Sequence, residues 1–378
     1  MKICILSMQM VQNMGSLLQC YALRKILEEM GNKVSFLPIE HKDEDDALMK
    51  ENKISFSEES NFKKYINKLK YVNIYFFNYI NTKKKNKEQN RKYDDFRKNI
   101  LRINGEKKEK KLYDWCVIGS DEVFNCSDSS PWGFTTQLFG NVAEANNTMT
   151  YAASCGATTV ETIPTGACER IASALKKLKT ISVRDKNTEE FVRIISGMSA
   201  EINLDPVLIG NFDDEILTSK EVTQLSTKYC VVYAYHYRIY KKQEINAIKK
   251  FCRSHNLVPV AVGMPQFWIK EYIVADPFQC LKIFRRAEFV ITDTFHGTIF
   301  SAKYCLRFAT IVRDSNRNKL QDLIDRIHVS DHQISAITID ELERAYTKVH
   351  NKESFNKMIA AERARTLSYL KENLKEDI

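Results

Sequence analysis

The run Phe289-Val290-Ile291-Thr292-Asp293-Thr294-Phe295-His296-Gly297-Thr298 puts an imidazole where chemistry can be done. An apolar β-branched stretch stops at small polar side chains, one histidine and a glycine, and an amphipathic segment follows. That is the pattern of a buried parallel strand turning into a helix, the edge at which open α/β sheets place ligands. A histidine there can move a proton near neutral pH, and the helix start carrying Gly297 and Thr298 attracts anions. The competing reading is a structural histidine that caps the helix.

Other strand-to-turn edges carry weaker chemistry. Asn13-Met14-Gly15-Ser16 precedes an apolar helical stretch, and its free N–H groups could hold a phosphate or a sugar hydroxyl. A single glycine is not a G-x-G-x-x-G fingerprint, so an ordinary turn remains open. After Val117-Ile118-Gly119 come Ser120 and Asp121, where Asp121 could take a proton from a hydroxyl or the pair could cap the next segment. Ser154 suits hydrogen bonding, whereas Cys155 lacks an identifiable histidine partner and reads as packing. Arg184 ends another strand, either as an anion clamp or as a salt-bridge partner of Asp185. Asp205 reads as a cap, and Arg313, Arg317 and Lys319 gather positive charge around a late helix start.

In this order the segments Asn13–Leu23, Gly119–Asn125, Tyr151–Gly156, Ser182–Asp185, Leu204–Pro206 and Thr292–Phe300 resemble the polysaccharide pyruvyl transferase family. The resemblance runs from the first strand to about Ile327. It implies a reaction in which phosphoenolpyruvate gives its three-carbon unit to a sugar as a ketal, with phosphoenolpyruvate as co-substrate and no resident cofactor or metal. It implies that His296 is the catalytic histidine, with Asp121 as a weaker candidate base. Arg184 would bind the donor, with Arg317, Arg313 and Lys319 as candidates for further cations and Gly297 and Thr298 beside them. Asn13, Gly15, Ser120 and Ser154 would face the acceptor, a glycan or lipid-linked oligosaccharide. Many relatives carry an arginine two positions before the histidine, where this chain has Thr294, so donor charge must be balanced elsewhere. Glu122 and Phe124 stand where relatives often have glutamine and tryptophan.

The elements that would hold these groups alternate. Strand-like runs at Lys2–Ser7, Lys33–Ile39, Asp114–Gly119, Thr148–Ala153, Thr180–Val183 and Glu201–Leu204 alternate with helical stretches in the first half. After a polar stretch, Asn211–Lys228, the alternation restarts with Tyr229–Tyr235, Val258–Val262, Glu288–Thr292 and Phe308–Val312. This predicts an α/β protein of two Rossmann-like, doubly wound parallel-sheet domains facing a cleft, similar to the GT-B arrangement. The expected domains are 1–212, with a basic helical insert at about 42–111, and 225–345. A long terminal helix, 346–378, would cross back over the first domain. The first domain would serve the acceptor and the second the donor.

Composition narrows the classes further. At 378 residues the chain exceeds a usual single core, and 44% hydrophobic content with twelve glycines is ordinary for an α/β protein. Ten scattered cysteines with no C-x-x-C pair argue against a zinc site or a disulfide framework and for a reducing cytoplasm. The N-terminus enters a strand at once rather than a secretory leader, and Tyr71–Ile80 is too short to span a bilayer. The net charge of +9 is local: residues 61–111 hold 17 Lys/Arg against five Asp/Glu. That segment reads either as a lysine-rich helical pair with a solvated face or as a peripheral contact with an anionic inner-membrane surface. No nucleic-acid module is visible, so nucleic acid is not an expected partner. A GT-B glycosyltransferase using a nucleotide sugar and a catalytically silent surface-binding relative remain competing readings.

Overall fold

A computed structural model describes residues 1–40, 76–103, 112–126, 134–163, 166–222, 225 and 228–375. Most of the basic insert, 41–75 and 104–111, therefore lies outside the described residues. The first half contains β1 (Lys2–Leu6), α1 (Met14–Glu29), β2 (Lys33–Phe36), α2 (Phe76–Asp95) and β3 (Tyr113–Asp121). It continues with β4 (Ala145–Ala153), α3 (Ala167–Leu175), β5 (Ser182–Val183), α4 (Lys186–Ser196) and β6 (Glu201–Ile202). Two short helices, α5 (Pro206–Ile209) and α6 (Asp213–Thr218), lead out of it. The second half holds β7 (Tyr229–Tyr233), α7 (Lys242–Ser254), β8 (Val258–Val262), β9 (Glu271–Ile273), α8 (Pro277–Arg286) and β10 (Phe289–Thr292). After these come α9 (Phe295–Tyr304), β11 (Phe308–Ile311), α10 (Arg317–Arg326), β12 (Gln333–Ile334), α11 (Ile339–Thr347) and α12 (Lys352–Asn373).

Both sheets have six strands, all parallel: β2-β1-β3-β4-β5-β6 and β12-β11-β10-β7-β8-β9. Helices cover both faces, so the central strands are apolar throughout; Ile3, Cys4, Ile5 and Leu6 are fully buried, as are Val290 and Ile291. The strand order reverses between β1 and β3 in the first sheet and between β7 and β10 in the second. Crevices at such reversals are where doubly wound sheets bind ligands. Helix α1 lies against the first sheet with Leu17, Leu18, Leu23 and Leu27 fully buried. Truncating one of these to alanine would cost about 2–5 kcal/mol.

The connections differ from expectation in three places. The polar stretch 211–228 is not simply a linker, because Asp213–Thr218 is helical, with three acidic residues in its first turn where the helix dipole favours them. The terminal helix expected over 346–378 starts only at Lys352: α11 ends at Thr347 and the chain breaks at 348–351, where the His350 N–H bonds the Leu306 carbonyl and Asn351 caps α12. Strands β9 and β12, of three and two residues, were not foreseen.

Helix α12 runs back along the first domain. Its Arg363 donates to the Ile209 carbonyl at 2.6 Å, and the Lys375 carbonyl just beyond it accepts from the Trp115 indole at 2.9 Å. Helix α2 reaches the other way. Lys85 bonds the Tyr272 carbonyl, Gln89 both accepts from and donates to the Ala275 backbone, and Tyr93 bonds the Gly263 carbonyl. The described part of the basic insert is thus strapped onto the second domain. No described helix is long and apolar enough to cross a membrane.

Candidate active site

The two strand-order reversals face each other. From the first sheet come the turn after β1 (Asn13–Ser16) and the ends of β3 (Ser120, Asp121), β5 (Arg184) and β6 (Asp205). From the second come the end of β7 (Tyr233–Tyr235) and the start of α9. A narrow cleft lies between them, lined by Asn13, Tyr233, Ala234, Tyr235, Thr294 and His296 among others.

His296 is the meeting point. Its ring belongs to the second domain but packs on the N-terminus of α1. A Cβ built on Gly15 would lie 2.2 Å from the ring Cγ and Nδ1. Contacts that short do not occur, so position 15 accepts only glycine while the ring stays in place. The ring also meets Phe295 edge-on, at 5.5 Å between centroids. It is 8% exposed and lines the cleft. Its Nε2 has no hydrogen-bond partner, and Asp205 Oδ2 stands 3.5 Å away.

Asp205 organises the charges beneath the ring. Its Oδ1 caps α5 through the Val207 N–H at 2.9 Å, while Oδ2 takes Arg184 at 3.0 Å and Ser120 Oγ at 3.3 Å. Complete burial would raise its pKa, but His296 and Arg184 outweigh that and bring the carboxyl down to about 2. Arg184 also lies 3.6 Å from Asp121 and stacks on the Phe295 ring with its Cζ 4.0 Å from the centroid. Burial opposes its charge, yet Asp205 and Asp121 hold its pKa above the ordinary value. Its Nε remains unpartnered. Asp121 in turn accepts from Ser16 Oγ at 2.7 Å.

Several residues expected at the site are engaged elsewhere. Ser154 is fully buried and donates to Asp185 at 2.7 Å, and Ser120 is fully buried with its hydroxyl on the Ala152 carbonyl at 2.7 Å. Both hydroxyls hydrogen-bond within the first domain. Thr298 is buried inside α9 and donates to the Thr294 carbonyl at 2.9 Å. The helix starts expected to hold anions are closed by their own caps: Asn13 Oδ1 takes the Gly15 and Ser16 N–H groups, and Thr294 Oγ1 takes that of Gly297. Among the late cations, Arg317 is paired with Asp314 on the surface at 3.0 Å and its side chain is 56% exposed. Arg313 pairs with Glu244 at 2.9 Å, and Lys319 crosses between domains to Glu122 at 2.9 Å. Burial works against the Glu122 charge, but Lys319 prevails and lowers its pKa. Among the described residues no three His, Cys, Asp or Glu side chains gather as a metal site.

The polysaccharide pyruvyl transferase family matches residues 13–315, more than half of the chain. The chain belongs to that family. The matched span contains His296, Arg184, Asp121 and Asp205 and leaves α12 outside. No curated protein matches this family member. Among solved structures, the UDP-GlcNAc 2-epimerase of Methanocaldococcus jannaschii, in complex with UDP-GlcNAc and UDP, is similar with a TM-score of 0.51 at 10% identity, covering 98% of this chain and 100% of its own. A putative UDP-N-acetylglucosamine 2-epimerase from Listeria monocytogenes gives 0.51 at 10% identity, covering 100% and 97%. At that identity the likeness concerns the fold alone, two facing Rossmann-like domains in the GT-B arrangement.

Sequence reasoning treated Asp205 only as a cap and overlooked Asp293 and Arg238. Asp293 follows β10 with its side chain wholly buried, and neither carboxylate oxygen has a partner at good hydrogen-bond geometry. Burial raises its pKa to about 6 against the pull of Arg238 and Arg313. Its position three residues before His296 was the available signal.

Proposed function

We propose that this transferase moves the three-carbon unit of phosphoenolpyruvate onto a sugar of a cell-surface polysaccharide or its lipid-linked precursor, forming a pyruvate ketal. The carrying observation is the imidazole of His296, which lines the cleft with a buried, unpartnered Nε2 3.5 Å from Asp205. An imidazolium beside a buried carboxylate is a charge-balanced proton donor. It gives its proton to the donor's methylene carbon, which becomes a methyl group, and the adjacent carbon becomes electrophilic. An acceptor hydroxyl attacks that carbon and passes its proton to a phosphate oxygen of the leaving group. The carbon–oxygen bond to phosphate then breaks, phosphate departs, and a second hydroxyl closes the ketal while its proton returns to a base. His296, left neutral by the first step, is the candidate for that return, with Asp121, beside Arg184 in the first domain, as the other. Phosphoenolpyruvate enters as co-substrate, and the scheme calls on no resident cofactor or metal.

The test is phosphoenolpyruvate-dependent release of phosphate in the presence of glycan acceptors. His296→Asn should lower turnover by about 10²–10⁴-fold with folding intact. Near-normal turnover would remove the imidazole from the mechanism. A rise in melting temperature with nucleotide sugars but none with phosphoenolpyruvate would favour a glycosyltransferase instead, since only a ligand of the native state stabilises it.

The outward side of the basic segment, with Lys83, Lys84, Lys87, Arg91 and Lys98 exposed, supports a peripheral contact with an anionic inner-membrane face and a lipid-linked acceptor. Failure of anionic liposomes to retain the protein at low salt would end that part of the proposal.

A further inference from the structure

The donor is a trianion near neutral pH, and the cations around the cleft already hold carboxylates, although Arg184 Nε and Arg313 Nε and Nη2 are buried without a partner. Arg184, Lys319 and Arg313 each hold a carboxylate within 3.0 Å: Asp205, Glu122 and Glu244 respectively. Arg317 is paired at the surface with Asp314. A cation in a tight pair must give up its carboxylate before it can serve an incoming anion, and that loss offsets much of the gain.

Arg238 is different. It sits on the loop after β7, four residues beyond Ala234, which lines the cleft. Its Cζ lies 5.5 Å from the ring centroid of Tyr235, another lining residue. Its nearest carboxylate oxygen, Asp293 Oδ2, is 3.8 Å away, too far for a hydrogen bond, and Nη1 donates to Ser315 Oγ at 3.2 Å. The side chain is 29% exposed. Tyr237, immediately before it, is held at φ +60°, a left-handed conformation unusual for a tyrosine and typical of loops shaped for a site. Asp293 and Ser315 thus restrain the guanidinium from one side while its remaining N–H groups stay uncommitted among the described residues.

Resting on the reading of phosphoenolpyruvate as donor, we propose that Arg238 is the second-domain cation that binds the donor, its guanidinium fork meeting the phosphate or the carboxylate group. Asp293 acts as a positioning residue behind it. The geometry suits this division: the fork binds two oxygens at once, and the guanidinium carbon lies 5.5 Å from the ring centroid of Tyr235, which lines the cleft.

Calorimetric titration with phosphoenolpyruvate tests the assignment without any acceptor. Arg238→Gln should weaken binding by roughly 10–100-fold, the loss of one or two charge-assisted bonds. Arg193→Gln, which removes a surface arginine paired with Glu190, should bind within about twofold of the parent, since a surface ion pair contributes little. Arg238→Lys, which keeps the charge but not the fork, should fall between them, and it carries the test if Arg238→Gln does not fold. Parent-like affinity in Arg238→Gln, or in Arg238→Lys where only that variant folds, overturns the proposal and leaves the donor reading standing. Absence of phosphoenolpyruvate binding by the parent protein overturns both.

Discussion

A single methyl group at position 15 tests how the two domains meet. In Gly15→Ala the new Cβ would stand 2.2 Å from Cγ and Nδ1 of His296 and 2.6 Å from its Cβ. Ordinary carbon contacts are about 3.5–4.0 Å, so an overlap of more than 1 Å must be relieved. Helix α1 cannot yield easily, because Leu17 and Leu18 anchor it in the first core with no exposed surface. Rotating the imidazole does not suffice either, since the His296 Cβ is itself too close. The start of α9 must move, carrying the ring away from Asp205. Glycine to alanine in a helix stabilises by up to about 1 kcal/mol, and overpacking costs about 1–3 kcal/mol, so the variant should fold with a net loss of about 0–2 kcal/mol. A misplacement of about 1 Å at a reacting group costs on the order of 10²-fold in turnover. The assay is turnover with phosphoenolpyruvate, paired with urea denaturation to separate activity from stability. A cycle with His296→Gly, which removes the Cβ as well as the ring, isolates the cause: in that background the added methyl should change stability little, because its collision partners are gone. Turnover within about threefold of the parent, or equal stability costs in both backgrounds, would refute the packing argument.

Two further predictions concern buried carboxylates and have opposite signs. Asp205 has a folded-state pKa of about 2, below its ordinary 3.8, so its stabilisation is present above the ordinary value and lost as pH falls through the folded one. It should contribute roughly 2–3 kcal/mol at pH 7, and Asp205→Asn should flatten urea midpoints between about pH 4 and 2; an unchanged acid limb would contradict this. Asp293 is held at about 6, above 3.8, so between these values the unfolded chain ionises first and the fold is penalised as pH rises. Asp293→Asn should therefore compare better with the parent at pH 8 than at pH 4, by up to about 3 kcal/mol, and a pH-independent difference would refute the assignment.

The parts legible in the sequence are those that local chemistry dictates. Apolar β-branched runs such as Val290-Ile291 must be buried on both faces, which announces a parallel sheet, and the polar groups after them announce its ligand edge. Pairings between distant residues left no local trace. Gly15 looks like any turn glycine until His296 arrives from the other domain. Asp205 does announce itself as a cap, and it is one, but the second oxygen of the same carboxylate serves Arg184 and His296. Lys319 reads as free positive charge because nothing along the chain reveals Glu122 as its partner. The break at 348–351 contains neither glycine nor proline, and its turn is set by a backbone bond to Leu306 and by the cap of Asn351. Strands as short as β9 and β12 exist only because β8 and β11 offer them an edge.

In the proposed reaction, turnover depends on an imidazole presented to a donor bound in the interdomain cleft. A crystal of the protein soaked with phosphoenolpyruvate measures that directly. The predicted result is the donor between the two sheets with its methylene carbon against the His296 ring. A donor seated with that carbon beyond the reach of the imidazole would contradict the claim.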